Sequence, residues 1–289
     1  MYIRIAKKII KFILIYVLIT GTFTYIGSLV LGVDLNHHSS DHKNLLQSLL
    51  LIIFELMGTL MSIYLFIKYI DKERPSNSNL FFQPVIYKDL VQGIWVSFAI
   101  MLSGFSLLLA THQIGNLHID LNTEKILLSI GIFAVIAIME EVLVRGFILR
   151  KLMKRLSKWL SLIISAVIFS LLHIFNSHVD ILSIVNLFLA GTLLGLPYIF
   201  TRNLSTSIGL HFSWNLFQCL LGFNVSGSAF YALVVQGLSI NNAWTGGLFG
   251  FEGSVLCLVF QIVAIVALYF TYSQRAAIKT REEQVSLAL

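Results

Sequence analysis

Charged residues are scarce in this chain of 289 residues: they account for 12% of it, whereas hydrophobic residues account for 57%. A soluble domain usually carries about 25% charged residues, and the mean hydropathy here is +0.86. A chain this long and this apolar cannot keep its surface in water, so its composition predicts a protein embedded in a lipid bilayer. The net charge of +6 can then reflect basic residues collected on one side of the bilayer. It needs no nucleic acid to explain it, and we expect no nucleic acid partner.

Cysteine is scarce as well, with Cys219 and Cys257 as the two cysteines. Both lie in apolar runs without a CxxC motif or a histidine-rich neighbourhood, which argues against a disulfide framework and against a thiolate metal site. We expect them to be small buried apolar residues. Internal repeats are also lacking, and the loops are too short to bury a core of their own.

Long hydrophobic runs, by contrast, are abundant, and a membrane-spanning helix needs about 20 mostly apolar residues. The runs predict an all-α fold, a polytopic transmembrane bundle of about eight helices that forms one membrane domain over residues 1–289. The expected spans are 9–33, 45–69, 90–110, 126–149, 159–176, 179–200, 204–222 and 252–273. We expect helices one to three in 1–124, the core helices four to seven in 125–225, and an outer loop with helix eight in 226–289.

The basic residues support this number of spans. With the N-terminus in the cytoplasm and the spans alternating, all of the 20 lysines and arginines except Lys43 and Lys125 fall on the cytoplasmic side. This asymmetry follows the positive-inside rule, so we expect both termini in the cytoplasm. No A-x-A cleavage site follows the first run, which favours a retained helix over a signal peptide.

The fourth span contains charges where hydrocarbon is expected, in the stretch MEEVLVRGF at 139–147. A charge at the bilayer centre costs at least about 2.5–3.5 kcal/mol, so such residues are candidates for function. Glu141 and Arg145 are four residues apart and can neutralise each other on one helix face. Glu140 faces another direction and has no basic residue one turn later. Glu140 is therefore the candidate general base or acid, with a structural ion-pair cluster as the alternative.

Two later spans carry further polar pairs at helical spacing. The fifth contains FSLLH, with Phe169 and His173 one turn apart, and the seventh contains HFSWN, with His211 and Asn215 one turn apart. If the three spans converge, they supply a base, a polarising imidazole and donors for an oxyanion, the groups needed to hydrolyse an amide with activated water. His173 is expected nearer the outer face than Glu140, a difference that helix tilt must absorb.

In this order, the three motifs resemble those of the CPBP family of intramembrane proteases, which includes the type II CAAX prenyl endopeptidases and many bacterial members. The resemblance covers roughly residues 125–225, and GFNVSG at 222–227 is also similar to bacterial members. It implies an all-helical membrane core and proteolysis within the bilayer. The implied roles are water activation at Glu140, assistance from His173, oxyanion stabilisation by His211 and Asn215, and site support by Glu141, Arg145 and Phe169.

The resemblance to glutamate-dependent members favours catalysis without a metal or another cofactor. A zinc ion held by Glu140, His173 and His211, with water in the fourth position, is the alternative. The chain contains no HExxH motif, and a glutamate-activated water needs no metal.

We therefore expect an intramembrane endopeptidase, placed in a bacterial cytoplasmic membrane, whose partners are the lipid bilayer and a peptide or protein substrate. Peptide precursors, signal-peptide remnants or membrane proteins are better candidates than prenylated CAAX substrates. A non-catalytic immunity or scaffold protein and a transporter whose buried acid carries protons are the alternatives. Of the other acids, Glu55 is expected to make a structural hydrogen bond, and Glu252 is expected at the membrane interface.

Overall fold

A computed structural model of the protein describes residues 2–34, 44–73 and 84–288. The described residues form eight long helices, which confirms the predicted all-α helical bundle. They are α1 (Tyr2–Leu31), α2 (Leu45–Leu65), α3 (Tyr87–Ala110), α4 (Thr123–Glu141), α5 (Lys158–Leu172), α6 (Ile181–Thr201), α7 (Ser205–Leu220) and α8 (Val255–Ala288).

Two of these helices, α2 and α4, continue into π-helical segments. A π-helical segment, Phe66–Asp71, follows α2, and a second one, Val142–Leu149, follows α4 and leads into a last α-helical turn, Arg150–Met153. The second segment begins directly after the paired carboxylates Glu140 and Glu141. Such π-helical turns are rare and occur frequently at functional sites. The hydrophobic pattern of the sequence did not predict either of them.

Six helices are long and apolar enough to cross a membrane, namely all except α5 and α7, and the chain is an integral membrane protein. Helices α5 and α7 have 15 and 16 residues. At 1.5 Å per residue they measure about 22–24 Å, less than the hydrocarbon core of about 30 Å. The predicted extension of the fifth span to residue 176 was wrong, because α5 ends at Leu172 and His173 is its C-cap residue.

The two ends of the bundle differ in character. At one end, which we name the basic end, Asp71 pairs with both Lys8 and Lys151, and Arg275 pairs with Asp89. At the other end a strand before α4, β1 (Ile114–Ile119), pairs antiparallel with a strand before α8, β2 (Val234–Ser239). Lys43 and Arg74, which entered the charge count, lie outside the described residues.

The packing order places α4 inside the bundle. Helix α4 contacts both α2 and α7, α7 also packs against α3, and α6 packs against both α5 and α8. Helix α1 packs mainly on α2. Side chains from α4, α5 and α7 therefore point into one shared interior, where the three polar motifs meet.

Candidate active site

The three motifs line one cavity of about 640 Å³. Glu140 lies near the middle of the membrane-spanning stretch Thr123–Met153, so the cavity is deep within the bundle. Its wall is formed by residues from α1, α2, α4, α5, α6 and α7 and from the chain between α7 and α8. The motif residues among them are Glu140, Phe169, His173, His211 and Asn215.

Glu140 faces both histidines. Its Oε2 atom lies 3.7 Å from Nε2 of His173 and 3.9 Å from Nε2 of His211. The same oxygen is buried and has no hydrogen-bond partner among the described residues. A buried carboxylate oxygen without a partner is costly, so the arrangement suits a group that receives a proton or contacts a substrate.

Glu141, the neighbouring carboxylate, is engaged on the other side of α4. Its Oε1 accepts a hydrogen bond of 2.7 Å from Nη1 of Arg145 and one of 2.8 Å from Nδ1 of His211. The side chains of Glu141 and Arg145 are fully buried, as the predicted mutual neutralisation requires. Since an ionised carboxylate can only accept, Nδ1 of His211 carries hydrogen and Nε2 faces Glu140.

Arg145 joins three helices. Its Nη2 donates to the carbonyl oxygen of Gly191 in α6 at 3.0 Å, and its guanidinium lies 4.5 Å from the ring centroid of Phe169 in α5. A side chain at Gly191 would place its Cβ 2.8 Å from Cα of Ala166. The glycine therefore lets α5 and α6 approach closely while its carbonyl binds Arg145.

His173 owes its position to the end of α5. The last carbonyl groups of a helix lack intrahelical partners, and Nδ1 of His173 lies 2.8 Å from the carbonyl oxygen of Phe169. Because a carbonyl only accepts, Nδ1 is the protonated nitrogen and Nε2 is directed towards Glu140. The Phe169 ring packs at 4.7 Å from the His173 ring and at 6.2 Å from the His211 ring.

Asn215 lies one turn after His211 in α7, is buried and lines the cavity. Trp214, between them in the motif, lines the cavity too. The structure thus brings together Glu140, His173, His211 and Asn215, with Glu141, Arg145 and Phe169 packed directly behind them.

Three cavity residues lie outside the motifs: Tyr16, Glu55 and Glu252. Glu252, for which the sequence predicts a position at the membrane interface, is buried within the protein, and its Oε2 accepts hydrogen bonds from the backbone N and the Oγ of Ser226. Burial raises the pKa of Glu252, and the hydrogen bonds from Ser226 oppose this effect. A carboxylate just before the last apolar run was the available signal for Glu252.

The donor set of one carboxylate and two histidines is chemically suitable for zinc. Among the described residues, however, no group of three or more His, Cys, Asp or Glu side chains has an arrangement that could hold a metal ion. No step of the reaction is therefore assigned to a metal below.

Comparison with known proteins agrees with the motifs. Residues 122–217 match the model of the family described as type II CAAX prenyl endopeptidase Rce1-like, a segment that covers less than half of the chain. No curated protein and no solved structure matches the chain. The matched segment contains Glu140, His173, His211 and Asn215. The segment that carries the three motifs is therefore similar to the type II CAAX prenyl endopeptidases.

Proposed function

We propose that this protein is an intramembrane endopeptidase that hydrolyses a peptide bond with a water molecule activated by Glu140. The similarity of residues 122–217 to type II CAAX prenyl endopeptidases supports protease activity. The observation that carries the glutamate mechanism is the buried, unpartnered Oε2 of Glu140, which faces Nε2 of His173 and of His211 at 3.7 and 3.9 Å. A general base must lie within reach of the proton that it removes, and Glu140 lines the cavity.

Charge balance assigns the protonation states. With Glu140 and Glu141 ionised, two negative charges face the one positive charge of Arg145. An uncompensated buried charge is costly, and one imidazolium makes the cluster neutral. His211 is the suitable residue, because Glu141 accepts its Nδ1 hydrogen at 2.8 Å. In this scheme His173 donates its Nδ1 hydrogen to the Phe169 carbonyl, and it is assigned as neutral so that Nε2 can accept a proton.

With these protonation states, each residue can be assigned a role in peptide-bond hydrolysis. Glu140 takes a proton from water, and the hydroxide attacks the peptide carbonyl carbon. Nε2–H of His211 and the amide of Asn215 donate to the resulting oxyanion. The proton moves from Glu140 to the leaving nitrogen with Nε2 of neutral His173 as the relay, and the C–N bond breaks. The products are one carboxyl and one amine terminus.

We propose a membrane-associated peptide or protein as the substrate, in a bacterial cytoplasmic membrane. The cavity supports this choice, since it lies deep within the helices and much of its wall is apolar. Lipid-embedded peptide segments can enter such an interior without first being transferred to water.

The test uses the full-length protein in liposomes with a defined set of synthetic peptides. Each peptide has about 20 apolar residues, enough to span the bilayer, and carries a fluorophore and a quencher. The Glu140→Gln variant keeps the shape of the side chain and removes the base. We expect cleavage to fall about 10²–10⁴-fold. Glu124→Gln, an exposed glutamate at the start of the same helix, is the matched control and should cleave like the wild type.

The same liposomes separate the alternatives. Absence of cleavage of every peptide by the folded wild type would argue for a non-catalytic immunity or scaffold protein. Proton flux along a pH gradient that disappears in Glu140→Gln, without cleavage, would indicate a transporter. Loss of cleavage after chelation, restored by zinc, would replace the metal-free mechanism with the zinc mechanism.

A further inference from the structure

Helix α1 lies outside the matched family segment, yet one face of it is directed into the bundle. Lys8, Phe12 and Tyr16 are spaced four residues apart and therefore share this face. Nζ of Lys8 lies 3.0 Å from Oδ1 of Asp71 at the end of α2. Phe12 is 1% exposed, and its ring centroid lies 4.3 Å from that of Phe147. These contacts fix the position of α1 along α2 and along the π-helical part of α4.

This position brings Tyr16 to the cavity. The start of α1 and the end of α4 meet at Asp71, through Lys8 and Lys151, so the two helices run antiparallel. Phe147 lies on the basic-end side of Glu140, and Tyr16 lies one turn further from that end than Phe12. Tyr16 accordingly lines the same cavity as Glu140 and Glu55.

The cavity wall that includes Tyr16 contains apolar side chains, and Tyr16 adds a hydrogen-bond donor to it. Ile52, Leu143 and Val144 are apolar residues of the same lining, and they offer a peptide backbone no hydrogen bond. Peptide groups that leave water need a new partner, and a phenol hydroxyl can donate to a backbone carbonyl. Tyr16 supplies a neutral donor from a helix that the three motifs do not include.

We propose that the Tyr16 hydroxyl binds the backbone of the peptide substrate through a hydrogen bond, so that α1 contributes to substrate affinity. This inference rests on the peptidase function proposed above, and it assigns Tyr16 no part in proton transfer. A bond made equally to the bound substrate and to the transition state affects KM and leaves kcat unchanged. The two parameters therefore separate this role from a catalytic one.

The test compares Tyr16→Phe with Tyr25→Phe, an exposed tyrosine on the same helix. The probe is the peptide of the defined set that the wild type cleaves fastest. For Tyr16→Phe we expect KM to rise about 3- to 10-fold, the range for one neutral hydrogen bond, with kcat unchanged. Tyr25→Phe should behave like the wild type. Thermal unfolding of both variants confirms that they are folded.

A second measurement does not depend on cleavage. In the Glu140→Gln background, binding of the same peptide is followed by fluorescence anisotropy, and Tyr16→Phe should weaken it by the same factor as KM. Equal KM and equal binding for the two tyrosine variants would overturn the inference and leave the proposed function intact. A fall in kcat at constant KM would also overturn it. A wild type that cleaves no peptide would refute both proposals.

Discussion

Helix α1 and the family-matched helices α4 to α7 place polar groups in the same cavity under different constraints. In the matched helices, Glu141 and Arg145 are fully buried, and Oε1 of Glu141 accepts from both Arg145 and His211, while Oε2 of Glu141 and Nε of Arg145 have no hydrogen-bond partner among the described residues. In α1 most side chains are at least partly exposed, and the face of Lys8, Phe12 and Tyr16 makes the contacts with the bundle. Removing one member of the buried network of Glu141, Arg145 and His211 should destabilise the fold. Removing the Tyr16 hydroxyl from the cavity wall should have little effect on folding.

The largest stability effect is expected from breaking the buried network. Glu141→Ala leaves Arg145 as an uncompensated buried charge and removes the acceptor for His211. We expect a loss of about 3–5 kcal/mol in the free energy of unfolding, the range for breaking a buried pair. Thermal and denaturant unfolding in detergent measure it. Replacing both partners, with Glu141→Gln and Arg145→Met, should cost less than the single change. Unchanged stability of Glu141→Ala would mean that Arg145 has another way to be compensated.

Substitutions at Gly191 in α6 and Gly21 in α1 test the difference between the two regions. In Gly191→Ala the new Cβ would lie 2.8 Å from Cα of Ala166, so α5 and α6 must separate and the Arg145 acceptor must move. We expect a loss of about 1–3 kcal/mol, typical of overpacking. Gly21→Ala in α1 is the control, because no atom lies within 4 Å of its Cβ position. The same unfolding assay should find Gly21→Ala neutral or slightly stabilised, and equal losses at the two sites would contradict the contrast.

A smaller, pH-dependent effect is expected at Glu252, where burial raises the carboxyl pKa above its ordinary value of 4.5. The folded protein therefore holds this proton more tightly than the unfolded chain. The resulting stabilisation is fully present below about pH 4.5 and is lost as the pH rises through the raised pKa. Thermal unfolding temperatures measured across this range should fall less steeply with pH in Glu252→Gln than in the wild type. Parallel curves would exclude Glu252 as the source.

The sequence predicted the helices well because apolar length alone determines most of them. The eight expected spans correspond one to one with the eight helices, and the Glu141–Arg145 pair followed from helical spacing. The boundary of the fifth span failed because an apolar run does not reveal where the chain turns. There the His173 imidazole binds the Phe169 carbonyl as α5 ends.

The cavity could be predicted only where its residues belong to motifs. Tyr16, Glu55 and Glu252 reach it through packing between helices that are distant in sequence, and no local pattern encodes such packing. The π-helical winding after Glu141 was equally hidden, because seven of the eight residues in Val142–Leu149 are buried and such an almost uniformly buried segment shows no helical period. The π-helical segment after Glu141 and the position of Glu252 in the cavity both depend on tertiary contacts.

The antiparallel pairing of β1 with β2 brings together the two ends of the chain segment that lies between these strands. Ile119 lies opposite Val234, so the chain between them forms a closed loop whose ends are about 5 Å apart. The matched segment 122–217 falls entirely inside this loop, together with Glu140, His173, His211 and Asn215. A unit with adjoining ends can be inserted between unrelated flanking helices without being stretched. The segment that carries the candidate site therefore begins and ends beside the same strand pair, between helices α1 to α3 on one side of the sequence and helix α8 on the other.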